Sequence, residues 1–210
     1  MNEMTQERKD LQALADRLKT FTVPELCDGA VNPRVMHHQI KPWIGRSKIA
    51  GPAVTVDVPS GEGKLVGEVI HQLSEGDILV VSGKGNCEYS YWGDHRSVCA
   101  SCKKAAGVVI DGAFRDLEGC EEAAFPIFAK GLCCRTAAKT GEGTVQVPVE
   151  CGGVLVHPGD LVVADVNGVI VLAPKEAEAV MERALKKRVA QEQVMQEMKR
   201  TGKVITRILI

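Results

Sequence analysis

Long apolar runs are missing from this 210-residue chain. None approaches the ~20 consecutive apolar residues that a bilayer-spanning helix needs, so no membrane partner is expected. The opening, MNEMTQERKD, is polar, mixed in charge and followed by no apolar stretch. It does not read as a secretory or transmembrane start, and a cytoplasmic location is the expectation. An excess of one charge is missing too. Lys and Arg number 26 against 27 Asp and Glu, a net charge of -1. That balance gives no broad field for gathering nucleic acid or an anionic membrane, and no nucleic-acid partner is expected. Internal repeats and low-complexity linkers are absent. Eight cysteines are present, but without a secretory start they read as reduced thiols rather than a disulfide framework.

A chain of this length can bury roughly 70% of its unfolded surface and needs no staple to support a core. The pattern predicts one α/β domain over residues 1–174 and a helical arm over 175–210. Asn2 to Leu18 carries Leu11, Leu14 and Leu18 at helical spacing. Thr22-Val23-Pro24-Glu25 is a capping box that opens a second helix. Strands and helices then alternate: strand Ala53 to Val58, helix Lys64 to Leu73, a turn at Gly76-Asp77 and strand Ile78 to Val81. A loop at Gly83 to Asn86 precedes a helix from near Gly93 to Ala106. Strand Val108 to Ile110 follows, then a loop Asp111 to Phe114, a helix from near Asp116 and a strand over Ile127 to Ala129. From Val145 the pattern changes to short strands, Val145 to Val149, Val154 to Val156, Leu161 to Asp165 and Val169 to Leu172. Tight turns at His157 to Asp160 and Asn167-Gly168 separate them. Pro174 introduces a long charged helix, Lys175 to about Thr201, with Val180, Leu185, Val189, Val194 and Met198 as a packing stripe. A last strand is expected over Val204 to Ile210.

Two stretches can carry chemistry. In Gly107-Val108-Val109-Ile110-Asp111-Gly112-Ala113-Phe114-Arg115-Asp116, a buried strand runs into a turn and an Arg-Asp pair. Strand ends of α/β sheets are where sites form. Arg115 offers a planar fork of donors for a carboxylate or enolate oxygen. Asp116 is a hard oxygen ligand of the kind Mg²⁺ or Mn²⁺ takes. The competing reading is a plain helix cap with its ion pair. In Trp92-Gly93-Asp94-His95-Arg96-Ser97, a helix opening at Gly93 presents free N–H groups to an anion. Asp94, alone, reads equally as an ordinary helix-start acid.

Gly93-Asp94, Arg115-Asp116 at this spacing, and Val162-Val163-Ala164-Asp165-Val166-Asn167-Gly168-Val169 after Pro158-Gly159-Asp160 together resemble one family. It comprises regulator-of-ribonuclease-activity-A-like (RraA-like) proteins and 4-hydroxy-4-methyl-2-oxoglutarate/4-carboxy-4-hydroxy-2-oxoadipate aldolases, and the resemblance spans roughly Thr22 to Pro174. It implies an α/β fold, a swivelling β/β/α sandwich with a C-terminal helical arm, assembled as a homotrimer or homohexamer with sites at subunit boundaries. It implies that Asp116 binds Mg²⁺ or Mn²⁺ directly and that Asp94 helps through water. Arg115 and the backbone amides of Gly93, Asp94, His95, Arg96 and Ser97 would hold the pyruvyl group of a 2-oxo acid substrate. The implied activity is metal-dependent cleavage of a 4-hydroxy-2-oxo acid to pyruvate, or decarboxylation of oxaloacetate, through a stabilised enolate. The alternative is a non-catalytic protein that binds and inhibits an RNA-processing enzyme; the family's ribonuclease regulator lacks the acid matching Asp116. One departure is Gly119, where the family pattern Arg-Asp-x-x-Glu/Asp has an acid. Glu118 and Glu121 flank it as candidate substitutes, and Glu192 is the candidate acid reaching a neighbour's site.

Weaker signals have plainer readings. Cys99-Ala100-Ser101-Cys102 lacks a second ligand pair at zinc spacing and reads as core packing. Cys133-Cys134 reads as structural, and His37, His38 and His71 as satisfied histidines. Gly83-Lys84-Gly85-Asn86 lacks the ending of a phosphate loop, although the resemblance places Gly83 or Asn86 beside the substrate. Lys186-Lys187-Arg188 reads as a solvated helix face.

Overall fold

A computed structural model describes residues 5–45 and 48–206. In chain order the elements are α1 (Gln6–Leu18), α2 (Val23–Gly29), β1 (Arg34–Val35), β2 (Lys41–Ile44), β3 (Ile49–Asp57) and α3 (Lys64–Glu68), which tightens into a 3₁₀ turn over Val69–Gln72. Then come β4 (Ile78–Ser82), β5 (Ser90–Trp92), α4 (Asp94–Cys102), β6 (Gly107–Phe114), α5 (Leu117–Ala123), β7 (Ile127–Leu132) and β8 (Thr144–Val145). The rest are β9 (Val149–Cys151), β10 (Val154–Val156), β11 (Leu161–Asp165), β12 (Gly168–Leu172) and α6 (Pro174–Thr201).

The main sheet runs β1-β12-β11-β3-β4-β6-β7-β2, with β5 beside the end of β6 and β8 beside β3. β3, β4, β6 and β7 are mutually parallel, because each step between them crosses back through helical segments. β11, β12, β1 and β2 pair antiparallel and widen the sheet at both edges. The period-2 alternation of each strand divides the core. Leu79, Val81, Val108 and Ile110 face the helical layer with Val66, Val69 and Ala100. Ile78, Val80 and Val109 face the opposite way, onto Val149, Cys151, Val154 and Val156 of the β9–β10 hairpin. Sheet, second sheet and helices thus make the expected β/β/α sandwich. A third cluster joins Ala15, Leu18 and Leu26 to Val163, Ile170, Leu172, Val180 and Ala184, so the first half of α6 packs on its own chain. Each fully buried Leu, Ile or Val contributes about 1.5–3 kcal/mol to this arrangement.

The Thr22 capping box forms, with the Thr22 N–H donating to Glu25 Oε2 at 2.7 Å and the Glu25 N–H donating to Thr22 Oγ1 at 3.4 Å. Several boundaries move. Asp111 to Phe114 is strand rather than loop, because β5 and β7 pair with it on both sides. The helix from Asp94 stops at Cys102, where Lys104 turns left-handed at φ +56°. Val145 to Val149 is interrupted, leaving β8 and β9 as separate strands. The β11–β12 hairpin turns on Val166-Asn167, one residue early, since Asp165 pairs with Gly168. Residues 203–206 form no strand, and the remainder of that expected strand, like Asn2 to Met4, lies outside the described residues. Arg188 is not a solvated charge: it pairs with Glu25 at 2.7 Å and lies 4.4 Å from the Phe21 ring centroid. Among the described residues no helix is long and apolar enough to cross a membrane.

Candidate active site

The parallel strands deliver the Arg-Asp pair. β6 ends at Phe114, and the Arg115 N–H still donates to Trp92 O at 3.0 Å, which locks the two strand exits together. Asp116 then adopts a left-handed conformation, φ +57° and ψ +51°. Asp tolerates that region better than most residues, but it remains an uncommon one. Its consequence is directional. The Asp116 carboxylate does not cap α5; its Oδ2 accepts from Arg115 Nε at 3.1 Å and faces Gly93. A Cβ on Gly93 would stand 2.6 Å from that oxygen, so the missing side chain at 93 is what gives the carboxylate room. Arg115 is steadied at its other end by Thr136, whose hydroxyl accepts from Nη1.

Gly93 is also the N-cap of α4, and no side chain caps that helix. Asp94 Oδ1 accepts from the His95 N–H at 2.5 Å. The first-turn N–H groups of Asp94 and Arg96 have no partner within the helix and suit an anion. Ser97 is turned the other way. Its N–H and hydroxyl both bond Gly93 O at 3.0 Å, and its Oγ accepts from Trp92 Nε1 at 2.9 Å. Ser97 therefore fastens α4 to β5, and its amide is already used, which removes it from the expected substrate cradle. The Arg96 guanidinium donates to the carbonyls of Tyr91 and Gly63. Burial and the neighbouring Arg115 lower its pKa from the ordinary value; no carboxylate ion-pairs with it among the described residues.

Trp92, Gly93, Asp94, His95, Arg96, Arg115 and Asp116 line a cleft of about 730 Å³ that also receives Gly63, Lys64, His71, Lys103, Thr136 and Lys139. Its Lys and Arg side chains are Lys64, Arg96, Lys103, Arg115 and Lys139, and its carboxylates are Glu68, Asp94 and Asp116. The surplus of cations suits a small polyanion. The carboxylates of Asp94 and Asp116, beside a glycine cradle, suit a hard divalent ion that keeps several waters. Among the described residues no three His, Cys, Asp or Glu side chains converge as a closed metal cage, so the donor set does not match a structural zinc site.

The segments around Gly63 and Thr136 carry no motif, and sequence reasoning missed their part in the cleft. Glu62 binds them together: its carboxylate accepts from the N–H groups of Lys64, Thr140 and Gly141 and from the Thr140 hydroxyl. Other expectations are corrected. Cys102 is exposed and lines the cleft rather than the core, whereas Cys99 is half-buried, packs against the helical side of the core and also lines the cleft. His71 lines it as well, whereas Gly83 and Asn86 do not. Gly83 O accepts from Tyr91 Oη at 3.0 Å, and Asn86 bonds Ser60. Glu118 and Glu121 are exposed and do not line the cleft of their own chain, while Gly119 faces Asp94. Glu192 is exposed on the outer half of α6.

The family model described as "RraA-like: Aldolase/RraA" matches residues 23–171. The chain belongs to the RraA-like family. A Halalkalibacterium halodurans relative, provisionally named 4-hydroxy-4-methyl-2-oxoglutarate aldolase, is 38% identical over 84% of this chain and 85% of its own. An uncharacterised Methanocaldococcus jannaschii protein is 36% identical over 80% of each. Among solved structures, the RNA-processing inhibitor RraA from Thermus thermophilis is 30% identical, covering 73% of this chain and 93% of that one, with a TM-score of 0.68. Streptomyces coelicolor RraAS2, described as an unusual member of the RNase ES inhibitor RraA family, is 28% identical over 89% and 98%, with a TM-score of 0.76. RraA-like proteins thus include chains named as enzymes and chains named as inhibitors, and the choice for this one rests on its cleft.

Proposed function

We propose that this RraA-like chain is a divalent-metal-dependent carbon–carbon lyase acting on a 4-hydroxy-2-oxo acid of the 4-hydroxy-4-methyl-2-oxoglutarate type. Oxaloacetate decarboxylation is the companion reaction, because breaking C3–C4 of either substrate leaves the same pyruvate enolate. The observation that carries this reading is Asp116, held left-handed, released from capping and set beside Arg115 across from Gly93. A helix cap or a docking surface has no use for that arrangement.

Asp116 would hold Mg²⁺ or Mn²⁺, with Asp94 acting on it through water. When bound, the ion supplies Lewis-acid polarisation of the keto oxygen. The chain's own groups do the rest. Arg115 holds the pyruvyl carboxylate with its planar fork and stabilises charge building on the keto oxygen. The free N–H groups of Asp94 and Arg96 take the other carboxylate oxygen. Asp94 accepts the proton of the 4-hydroxyl as C3–C4 breaks, a transfer worth typically 10²–10⁴-fold. With oxaloacetate, carbon dioxide leaves and no proton acceptor is needed at that step. Assembly is proposed as a homotrimer or homohexamer in the cytoplasm, with neither nucleic acid nor membrane as partner. Leu185, Val189 and Met195 are exposed on the outer half of α6, and that half is offered to a neighbour, carrying Glu192 toward its cleft.

The solved inhibitors favour a second reading, docking onto an RNA-processing enzyme. Pyruvate release from 4-hydroxy-4-methyl-2-oxoglutarate and from oxaloacetate, with Mg²⁺ and with a chelator, separates the two. Metal-dependent release supports the lyase. Absence of release from both substrates in Mg²⁺ and in Mn²⁺ contradicts it.

A further inference from the structure

We infer that Gly119 is a positioning residue: its missing side chain sets where the Asp94 carboxylate stands, as Gly93 does for Asp116. The inference rests on the proposed lyase reading for its catalytic part only. The two helix starts meet face to face. A Cβ on Gly93 would lie 2.6 Å from Asp116 Oδ2, and a Cβ on Gly119 would lie 2.8 Å from both Asp94 Cβ and Asp94 Oδ2. Each acid therefore nests against the glycine of the opposite segment, and both line the same cleft. Carbon contacts normally stand near 3.5–4.0 Å. Rotating the Asp94 side chain moves its oxygen away from position 119 but leaves its Cβ where it is. A side chain at 119 must therefore shift α4 against α5 and carry Asp94 with it.

Intrinsic propensity points the other way. Gly119 lies in the first turn and a half of α5, where Ala would normally be preferred over Gly. Glycine at this position runs against helix propensity, and the close approach of Asp94 is a physical reason for it in this chain.

The test is a double-mutant cycle read by thermal unfolding, with a kinetic arm. Gly119→Ala should lower Tm by several degrees in the wild type. In an Asp94→Gly background, which removes the opposing Cβ, the same change should raise Tm. If Gly119→Ala alone does not fold, the Asp94→Gly/Gly119→Ala protein still folds if the inference holds, and its failure to fold overturns it. A drop in Tm of equal size in both backgrounds also overturns it. Kinetically, Gly119→Ala should cut kcat/KM at least tenfold, and should cut it by clearly less when added to Asp94→Asn. Additive losses would make Gly119 merely structural. A wild type without lyase activity would sink the functional reading while leaving the unfolding cycle to decide the positioning.

Discussion

Replacing Glu62 with Gln should loosen the wall of the cleft by a calculable amount. Glu62 is 3% exposed. Burial alone would raise its pKa, but N–H groups of Lys64, Thr140 and Gly141 and the Thr140 hydroxyl more than reverse this, holding it at about 2 against an ordinary 4.5. A folded-state value below the unfolded one stabilises the protein above the unfolded pKa, and that stability is lost as pH falls through the folded pKa. At about 1.4 kcal/mol per unit, the shift corresponds to roughly 3 kcal/mol at pH 7, falling to less than half by pH 3. Gln keeps one acceptor oxygen and turns an NH₂ toward N–H donors, so Glu62→Gln forfeits most of this. Urea unfolding should show Glu62→Gln less stable than wild type by about 2–3 kcal/mol at pH 7, with the gap closing as pH drops from 4.5 toward 2. Because Thr140 and Gly141 continue from Thr136 and Lys139 of the cleft, KM should rise more than kcat falls. Equal midpoints at pH 7, or a gap that does not vary between pH 3 and 7, would refute this reasoning.

Gly93→Ala meets no backbone strain, since Gly93 is extended at φ -169°, but its Cβ must displace Asp116 Oδ2. Isothermal titration should show Mg²⁺ affinity falling at least tenfold, on the scale that a misplacement approaching 1 Å costs; unchanged affinity would remove Gly93 from the site. Lys130→Met should destabilise by about 3–5 kcal/mol, because it strands the 2.5 Å Asp111 partner in the interior, and adding Asp111→Asn should recover part of the loss. A thermal scan that finds both proteins equally weakened would contradict the pairing. Val189→Asp should lower the oligomeric state seen by sedimentation while leaving the monomer's Tm almost unchanged, since Val189 is 44% exposed; an unaltered oligomer would exclude the outer half of α6 from the interface.

Local signals carried much of the fold. Thr22 to Glu25 announces its helix because a capping box is complete within four residues, and the alternation in Ile78 to Val81 and Val108 to Ile110 separates the two faces of the sheet. Asp111-Gly112 misleads because Asp-Gly usually turns, whereas here the strand passes through it at a register shift and is paired again by β5 and β7 at Ala113 and Phe114. In the candidate site, Arg115-Asp116 and Gly93-Asp94 stood out because strand and helix ends aim side chains predictably. The left-handed turn that frees the Asp116 carboxylate did not, since nothing local requires it. Glu62 and Thr140 lie far apart in sequence, so their contact leaves no spacing to read. Gly119 looked like a lost acid in the sequence and proves to be space occupied by Asp94.

The central claim is that the cleft forms a pyruvate enolate. Exchange of the pyruvate methyl protons for deuterium, followed by proton NMR in D₂O, tests it without any assumption about the leaving group. The wild type with Mg²⁺ should catalyse exchange, and a chelator or Asp116→Ala should abolish it. Exchange in the wild type no faster than in buffer, with Mg²⁺ and with Mn²⁺, would contradict the claim.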